Sequence, residues 1–374
     1  MGRKTERLRE GFTTGSAAAA AAKAALLYMG GQRELREVGI PLPVGKRLTI
    51  PVEGVEDAGG GVRATVIKDA GDDPDVTHHA RIGATVHLTL DGVHGHVTIE
   101  GGAGVGRVTR PGLPVPIGEA AINPVPREQI QEALREGLAE TGLRGAVSVT
   151  IDVKEGEEIA KRTLNPRLGI VGGISILGTR GTVKPFSHES YRDTITVSMD
   201  VAKAGGADAM ALSTGGKSEG FLRRMRPELP EVSFVQAGDF FSFSLKEAAK
   251  RGFREILYAC FFGKLVKMAQ GHACTHATKS RIDFALLAGW CGALGMGREN
   301  LCGVRRANTA REALGLIKAD PRRDNIIRDI AGRAIGCAGG FAGASPLLSY
   351  YLFDFEGSLL SVVEGKGQAQ EIAD

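Results

Sequence analysis

The sequence predicts an α+β amino-terminal domain followed by a Rossmann-like three-layer α/β carboxyl-terminal domain. Segments that alternate apolar and polar residues, the mark of half-buried strands, crowd residues 62–99 between two good helices. From about residue 190 the pattern turns to short apolar runs separated by helical stretches, as in a parallel sheet covered by helices. An apolar, glycine-rich stretch lies between these regions. The reading therefore places domains at 1–164 and 189–350, an interdomain crossing at 165–188, and a carboxyl-terminal extension with a polar tail at 351–374.

The first helix is expected over Gly15–Met29, preceded by the hydroxyl-bearing turn Gly11-Phe-Thr-Thr-Gly-Ser16. The two threonines there, Thr13 and Thr14, serve either as a plain cap or as ligand contacts. Strands are expected over Val62–Lys68, Thr85–Leu90 and His94–Ile99, and a second helix over Pro126–Thr141, with Asn123 and Pro124 marking its start. Lys68-Asp-Ala-Gly-Asp-Asp-Pro-Asp-Val-Thr77 packs four carboxylates, Asp69, Asp72, Asp73 and Asp75, into one turn. It lacks the glycine and closing glutamate of a calcium loop. Either it is a solvated acidic turn, or crowding in a cleft raises one carboxyl's pKa and lets it move protons.

Glu100-Gly-Gly-Ala-Gly-Val-Gly106 imitates a nucleotide-binding loop. Three prolines at 111, 114 and 116 exclude the helix such a loop must open. Gly104 and Gly106 are left as points where backbone comes close to a ligand. The run 165–185 is apolar rather than serine-rich, so it reads as an ordered crossing that faces a ligand, not as a flexible linker.

In the second half, candidate parallel strands are Ala209–Ser213, Val232–Ala237 and Glu255–Cys260. Helices are expected over Ser218–Met225, Phe241–Arg251 and Gly263–Ala269. After the strand ending at Ser213 comes Thr214-Gly215-Gly216, a glycine turn into a helix whose free N–H groups suit a polar or anionic ligand. Asp239 follows at the end of the next strand, some 20 residues on, where dinucleotide folds bind ribose hydroxyls. An ordinary strand-to-helix turn with an Asp cap gives the same pattern. His272-Ala-Cys-Thr-His276 would direct His, Cys and His to one side if it were a strand, but no fourth ligand follows at a zinc-like spacing, so no metal site is assigned. His276 is instead read as a neutral imidazole in a cleft, placed to accept a proton.

Composition narrows the classes. The net charge of +4 is modest and aromatics do not interleave with the basic groups, so neither nucleic acid nor a membrane surface is expected as partner. Arg223, Arg224, Arg226, Arg322 and Arg323 read as solvated helix faces or as partners for a polyanionic small molecule. Five cysteines without a Cys-x-x-Cys pair point to a reducing cytoplasm. The apolar stretch Ser16–Leu27 is alanine-rich, carries Lys23 and suits neither a signal peptide nor a membrane span. No Gly-x-Ser-x-Gly elbow and no Walker lysine loop occurs.

Taken in order, Gly11-Phe-Thr-Thr-Gly-Ser-Ala-Ala-Ala-Ala, the acidic turn 68–77, Gly104-Val-Gly-Arg-Val-Thr-Arg-Pro-Gly-Leu, Ala121-Ile-Asn-Pro, Gly172-Gly-Ile-Ser-Ile-Leu-Gly-Thr, Gly263-Lys-Leu-Val-Lys-Met-Ala and Thr275-His276 closely resemble the CbiD family. The resemblance covers residues 7 to 340. It implies methyl transfer from S-adenosylmethionine to C-1 of cobalt-precorrin-5B, giving cobalt-precorrin-6A in anaerobic cobalamin biosynthesis, with cobalt only as part of the substrate. Where the family commonly has Asn and Ser around the Thr-His pair, this chain has Cys274 and Ala277.

On that basis Thr214, Gly215, Gly216 and Asp239 are expected to hold the cofactor. Thr13, Thr14, Asp69, Asp75, Gly104, Gly106, Asn165, Gly173, Ser175 and Lys264 are expected on the substrate side. His276, with Asp72 as second choice, would accept or organise a proton. The expected partners are the cobalt-tetrapyrrole and other corrin-pathway enzymes that hand it over, with the oligomeric state open, a homodimer included. Competing classes are a non-catalytic tetrapyrrole carrier and a nicotinamide-dependent reductase using the same turn and acid.

Overall fold

The structure, a computed structural model, describes residues 8–343 and 346–366. It is a mixed α/β protein with several sheets, and its chain divides into two compact units, Met1–His188 and Glu189–Asp374.

In the first unit, β1 (Gly11–Phe12) leads into α1 (Thr14–Met29), capped by the Thr13 hydroxyl, which accepts from Ser16 N–H at 3.2 Å. The chain continues through β2 (Glu37–Pro41), β3 (Arg47–Pro51), β4 (Gly54–Ala58), β5 (Gly61–Ile67), β6 (Arg81–Thr89), β7 (Val97–Gly101), β8 (Gly104–Val105), β9 (Arg107–Val108), α2 (Pro124–Thr141) and β10 (Ala146–Val153). The main sheet has the order β4-β5-β6-β10-β7, with β10 antiparallel to β6 and parallel to β7. Its inward residues, among them Val66, Ile82, Val86, Val149 and Ile151, pack with the alanine face of α1. Every residue of α1 from Thr14 to Leu27 is buried, and small side chains let α1 lie close against α2, β5 and β6.

That burial includes Lys23. Its ammonium is held by Glu136 Oε2 at 2.9 Å, Glu140 Oε1 at 2.7 Å and the Gly39 carbonyl at 2.9 Å. A buried charge is tolerated only when its donors are satisfied in this way. Arg47 also binds Glu136, and it is the first cause, ahead of Lys23, that holds the Glu136 carboxyl down at about 2 against the opposing effect of burial.

The stretch expected as an interdomain crossing belongs wholly to the first unit. After α3 (Gly156–Ala160) come α4 (Asn165–Leu168), β11 (Ile170–Val171), β12 (Gly173–Ile174) and β13 (Thr182–Val183). These short strands pair back onto β9, β8 and β1 respectively. The reason is packing: Ile174 and Ile176 are buried in the same core as α1, and glycine lets the backbones stack. No helix follows Gly106, as the prolines require.

The second unit runs α5 (His188–Ala204), β14 (Ala209–Ser213), α6 (Gly216–Met225), β15 (Phe234–Gln236), α7 (Phe241–Lys250), β16 (Glu255–Phe261) and α8 (Phe262–Ala269). Then follow α9 (Phe284–Ala293), α10 (Arg298–Arg306), α11 (Ala310–Lys318), α12 (Arg323–Ala342), β17 (Leu347–Phe353) and β18 (Leu359–Lys366). The sheet order is β15-β14-β16-β17-β18, with the first four strands parallel and β18 antiparallel. Met210, Leu212, Ile256, Tyr258 and Tyr350 face a large core shared with Met199 of α5, Leu245 of α7, Leu265 of α8 and Ile330 of α12. Ala211, Leu257, Ala259 and Phe353 face the other way, onto Leu222 of α6.

The chain passes from β14 outward to β15, then back across to β16, so strand order reverses between β14 and β16. Open α/β sheets bind ligands outside the carboxyl ends of their strands at such a reversal. Tyr351 lies in the middle of β17, so the sheet absorbs the start of the expected extension because its residues continue an apolar run. Residues 367–374 of the expected polar tail lie outside the described residues. No helix among the described residues is long and apolar enough to cross a membrane.

Candidate functional site

At the carboxyl end of β14, the buried Ser213 hydroxyl has no hydrogen-bond partner among the described residues. Thr214 N–H donates to the Ala259 carbonyl at 3.1 Å, joining this turn to the end of β16. Gly215 precedes α6, no side chain caps the helix, and Ser218 Oγ donates to the Gly215 carbonyl at 2.9 Å. The first-turn N–H groups of α6 are therefore directed at whatever lies over the turn.

The turn after β15 is tied to the same place. Ala237 and Gly238 N–H groups donate to the Ser213 carbonyl at 2.8 and 3.2 Å. Gly238 has φ +57°, a left-handed conformation that favours glycine, and a Cβ there would lie 2.9 Å from the Tyr191 hydroxyl. Next is Asp239, whose Oδ1 accepts from Thr275 Oγ1 at 2.8 Å and from Lys264 Nζ. Oδ2 has no partner among the described residues. Thr275 N–H donates to the Asp239 carbonyl at 3.0 Å, and Lys267 Nζ donates to the Thr275 carbonyl at 2.9 Å.

The electrostatics follow from these contacts. Burial pushes the Asp239 carboxyl up, but the Lys264 ammonium, the Thr275 hydroxyl and the nearby His276 together outweigh it and hold the group below the ordinary carboxylate value. Burial, then repulsion from Lys264, lowers Lys267. Burial, then the charge of Asp239, raises the Tyr191 phenol. Asp239 is thus an anion with one oxygen fixed and one available.

His276 is half-buried in a turn rather than on a strand, which removes the shared direction expected for His272, Cys274 and His276. The backbone there is diverted by Thr275 bonding to Asp239 and by Ser242 N–H donating to the Ala273 carbonyl at 3.0 Å. Thr278 N–H approaches His276 Nδ1 at 3.3 Å and Thr278 Oγ1 lies 2.8 Å from the same atom. The 2.8 Å contact lets Nδ1 either donate to or accept from the Thr278 hydroxyl, so the tautomer of His276 is set by which role Nδ1 takes. Lys264, expected on the substrate side, pairs with Asp239.

The remaining residues fall in the first unit, where most have internal partners. Thr14 Oγ1 lies 3.2 Å from the Ser175 and Leu177 carbonyls and accepts from Leu177 N–H at 2.8 Å. Asn165 Nδ2 donates to the Gly173 carbonyl at 3.0 Å and its Oδ1 accepts from Ser175 Oγ at 3.2 Å. Asp69 pairs with Arg9, which is the first cause of its fall to about 2. Asp72 Oδ2 accepts from Arg9 N–H at 2.6 Å. Asp75 binds the buried Lys68 ammonium at 2.6 Å; burial raises its carboxyl, but Lys68 and Thr77 outweigh that and lower it. Gly104 and Gly173 lie where β8 and β12 run parallel, and a Cβ at Gly173 would stand 2.1 Å from the Gly104 carbonyl oxygen. A Cβ at Gly106 would stand 2.3 Å from an Ile170 side-chain carbon.

Neither Thr275 nor Tyr191 carries a distinct signal of a site in the sequence: Thr275 is half of a Thr-His pair, and Tyr191 belongs to α5, a helix without a distinctive signature.

A family model described as CbiD matches residues 1–185, and one described as CbiD, C-terminal domain, matches residues 274–364. A protein of Nitratidesulfovibrio vulgaris named cobalt-precorrin-5B C(1)-methyltransferase is 48% identical over 96% of this chain and 94% of its own. One of the same name from Geobacillus sp. (strain WCH70) is 50% identical over 82% of this chain and 83% of its own. The crystal structure of cobalamin biosynthesis protein (cbiD) from Archaeoglobus fulgidus shares 31% identity, covering 68% of this chain and 78% of that one, with a TM-score of 0.39.

Proposed function

Because the chain belongs to the CbiD family, we propose that it is the enzyme its relatives are named for, a methyltransferase acting at C-1 of cobalt-precorrin-5B in cobalamin biosynthesis. The observation that carries the reading is near-half identity to such proteins across almost the full length of both chains.

For the methyl donor we assign S-adenosylmethionine, whose sulfonium supplies an electrophilic methyl group. The carboxyl-terminal unit reads as Rossmann-like, and its residues fit this donor. Ser213 Oγ is a buried hydroxyl in need of a partner, α6 begins uncapped at Gly216, and Asp239 keeps Oδ2 available for ribose hydroxyls. Thr214, Gly215 and Gly216 would hold the polar parts through backbone and hydroxyl groups. Lys264 and Thr275 hold Asp239 ionised and in one rotamer.

On the substrate side, Thr14, Asn165, Ser175, Gly104, Gly106 and Gly173 act by fixing backbone, as their internal bonds and close approaches support. Thr13, Asp69 and Asp75 belong to the same set. Methylating a ring carbon forms a C–C bond and breaks C–S; the positive charge passes to the product and leaves as a proton. His276 is the residue assigned to organise that proton, and Asp72 is the second choice. Positioning supplies most of the acceleration. The five reduced cysteines accord with a reducing cytoplasm.

Calorimetry with S-adenosylhomocysteine and with NAD(P)H tests the donor assignment. Binding of the first alone is expected; binding of NAD(P)H alone would favour the reductase, and of neither, the carrier.

A further inference from the structure

The carboxyl ends of β16 and β17 carry an aromatic run with a feature the methyl donor does not explain. Phe261, the last residue of β16, stacks on Phe355 with ring centres 4.7 Å apart and planes 6° from parallel. Phe221 of α6 meets Phe261 edge-on at 6.3 Å. Arg311 Cζ lies 4.7 Å from the centre of Phe355, and Arg224 Cζ lies 4.8 Å from that of Phe221. The run thus has a guanidinium at each end, and Phe355 is 46% exposed.

Neighbouring arginines are neutralised: Arg223 pairs with Glu219 and Arg226 with Glu228. Among the described residues, Arg311 and Arg224 form no ion pair. Stacking on a ring fixes the plane of a guanidinium yet leaves its N–H edge directed outward, a geometry that suits bidentate binding of carboxylates. Arg311 is further located by the start of α11 resting on the start of α8, where a Cβ at Gly263 would lie 3.0 Å from Ala310 Cβ.

We propose that Arg311 and Arg224, held by Phe355 and Phe221, bind carboxylates on the rim of the tetrapyrrole substrate and so select a polycarboxylate macrocycle. The inference rests on the tetrapyrrole-methyltransferase reading and adds specificity residues to it. The site recognises the ligand's acid groups, so esterification abolishes the contact.

The test uses the full chain and titrates an octacarboxylate porphyrin, and separately its methyl ester, by absorbance against wild type, R311Q and R311K. S-adenosylhomocysteine is titrated by calorimetry as a folding and donor-site control. Porphyrin affinity is expected to fall about 10-fold in R311Q and less in R311K, with nucleoside binding unchanged and the ester bound weakly and equally by all. Equal porphyrin binding by wild type and R311Q, or no binding by wild type, would overturn the inference. A loss in R311Q supports the contact whether or not methyl transfer occurs, so failure of the methyltransferase reading appears separately, in a product assay.

Discussion

Thr275 Oγ1 donates to Asp239 Oδ1 at 2.8 Å, and Lys264 engages the same oxygen, so a residue from the turn after β15 is fixed by two groups from beyond β16. Asp239→Asn should weaken S-adenosylhomocysteine binding about 10–100-fold, the cost of losing a charged acceptor for ribose and leaving Lys264 without its anion. Calorimetry reads this directly; an affinity within about two-fold of wild type would remove Asp239 from the donor site.

The same pair sets a pH dependence. The Asp239 carboxyl is held below its ordinary value, so it stays ionised across the neutral range and donor binding should weaken only well into acid. Lys264→Met removes the stabilising ammonium while burial remains, moving the acid limb of the binding curve to higher pH. An unmoved limb would show that the two groups are not coupled.

Acid stability should depend on Glu136. Its folded-state carboxyl, at about 2, is depressed below the ordinary value of 4.5. A depressed acid contributes stability that is fully present above its unfolded pKa and is lost as pH falls through the folded one. Glu136→Gln should therefore cost about 2 kcal/mol at pH 7, with Glu140 still covering Lys23, and the gap from wild type should narrow as pH falls below 4.5 and close at about pH 2. Urea midpoints at several pH values measure it; a pH-independent gap would contradict the linkage.

Gly173→Ala should lower the melting temperature by several degrees, since the added carbon meets the Gly104 carbonyl and overpacking costs about 1–3 kcal/mol or more. An unchanged melting temperature would mean that β8 and β12 yield easily. Gly215, where nothing stands within 4 Å of an added Cβ, offers a contrast in space alone.

His276 and Asp72 separate by role. Asp72→Ala removes the acceptor for Arg9 N–H, so it should reduce stability while leaving single-turnover methyl transfer within about two-fold. His276→Ala should slow that step about 10-fold or more. The reverse outcome would transfer the proton-handling role to Asp72, and no effect in either would end the acid–base assignment.

Local signals in the sequence carried far, and their limit is physical. The first helix, the strand at 61–67, the strand at 209–213 and the glycine turn before α6 were legible because period and caps are properties of neighbouring residues. Which partner a side chain meets is a long-range property. Nothing near Lys264 announces Asp239, and nothing near Thr14 announces the carbonyls of 175 and 177. The run at 165–188 meets the same limit: glycine and apolar residues mark an ordered segment but not the strands with which it pairs. Arg311 and Phe355 lie far apart in sequence, so their stacking leaves no pattern to read.

The central claim is most directly tested by incubating the protein with cobalt-precorrin-5B and methyl-labelled S-adenosylmethionine and determining the product by mass spectrometry and NMR. The account predicts the gain of one labelled methyl group, located at C-1, together with stoichiometric S-adenosylhomocysteine. A product without label, or with the label on another carbon, would contradict it.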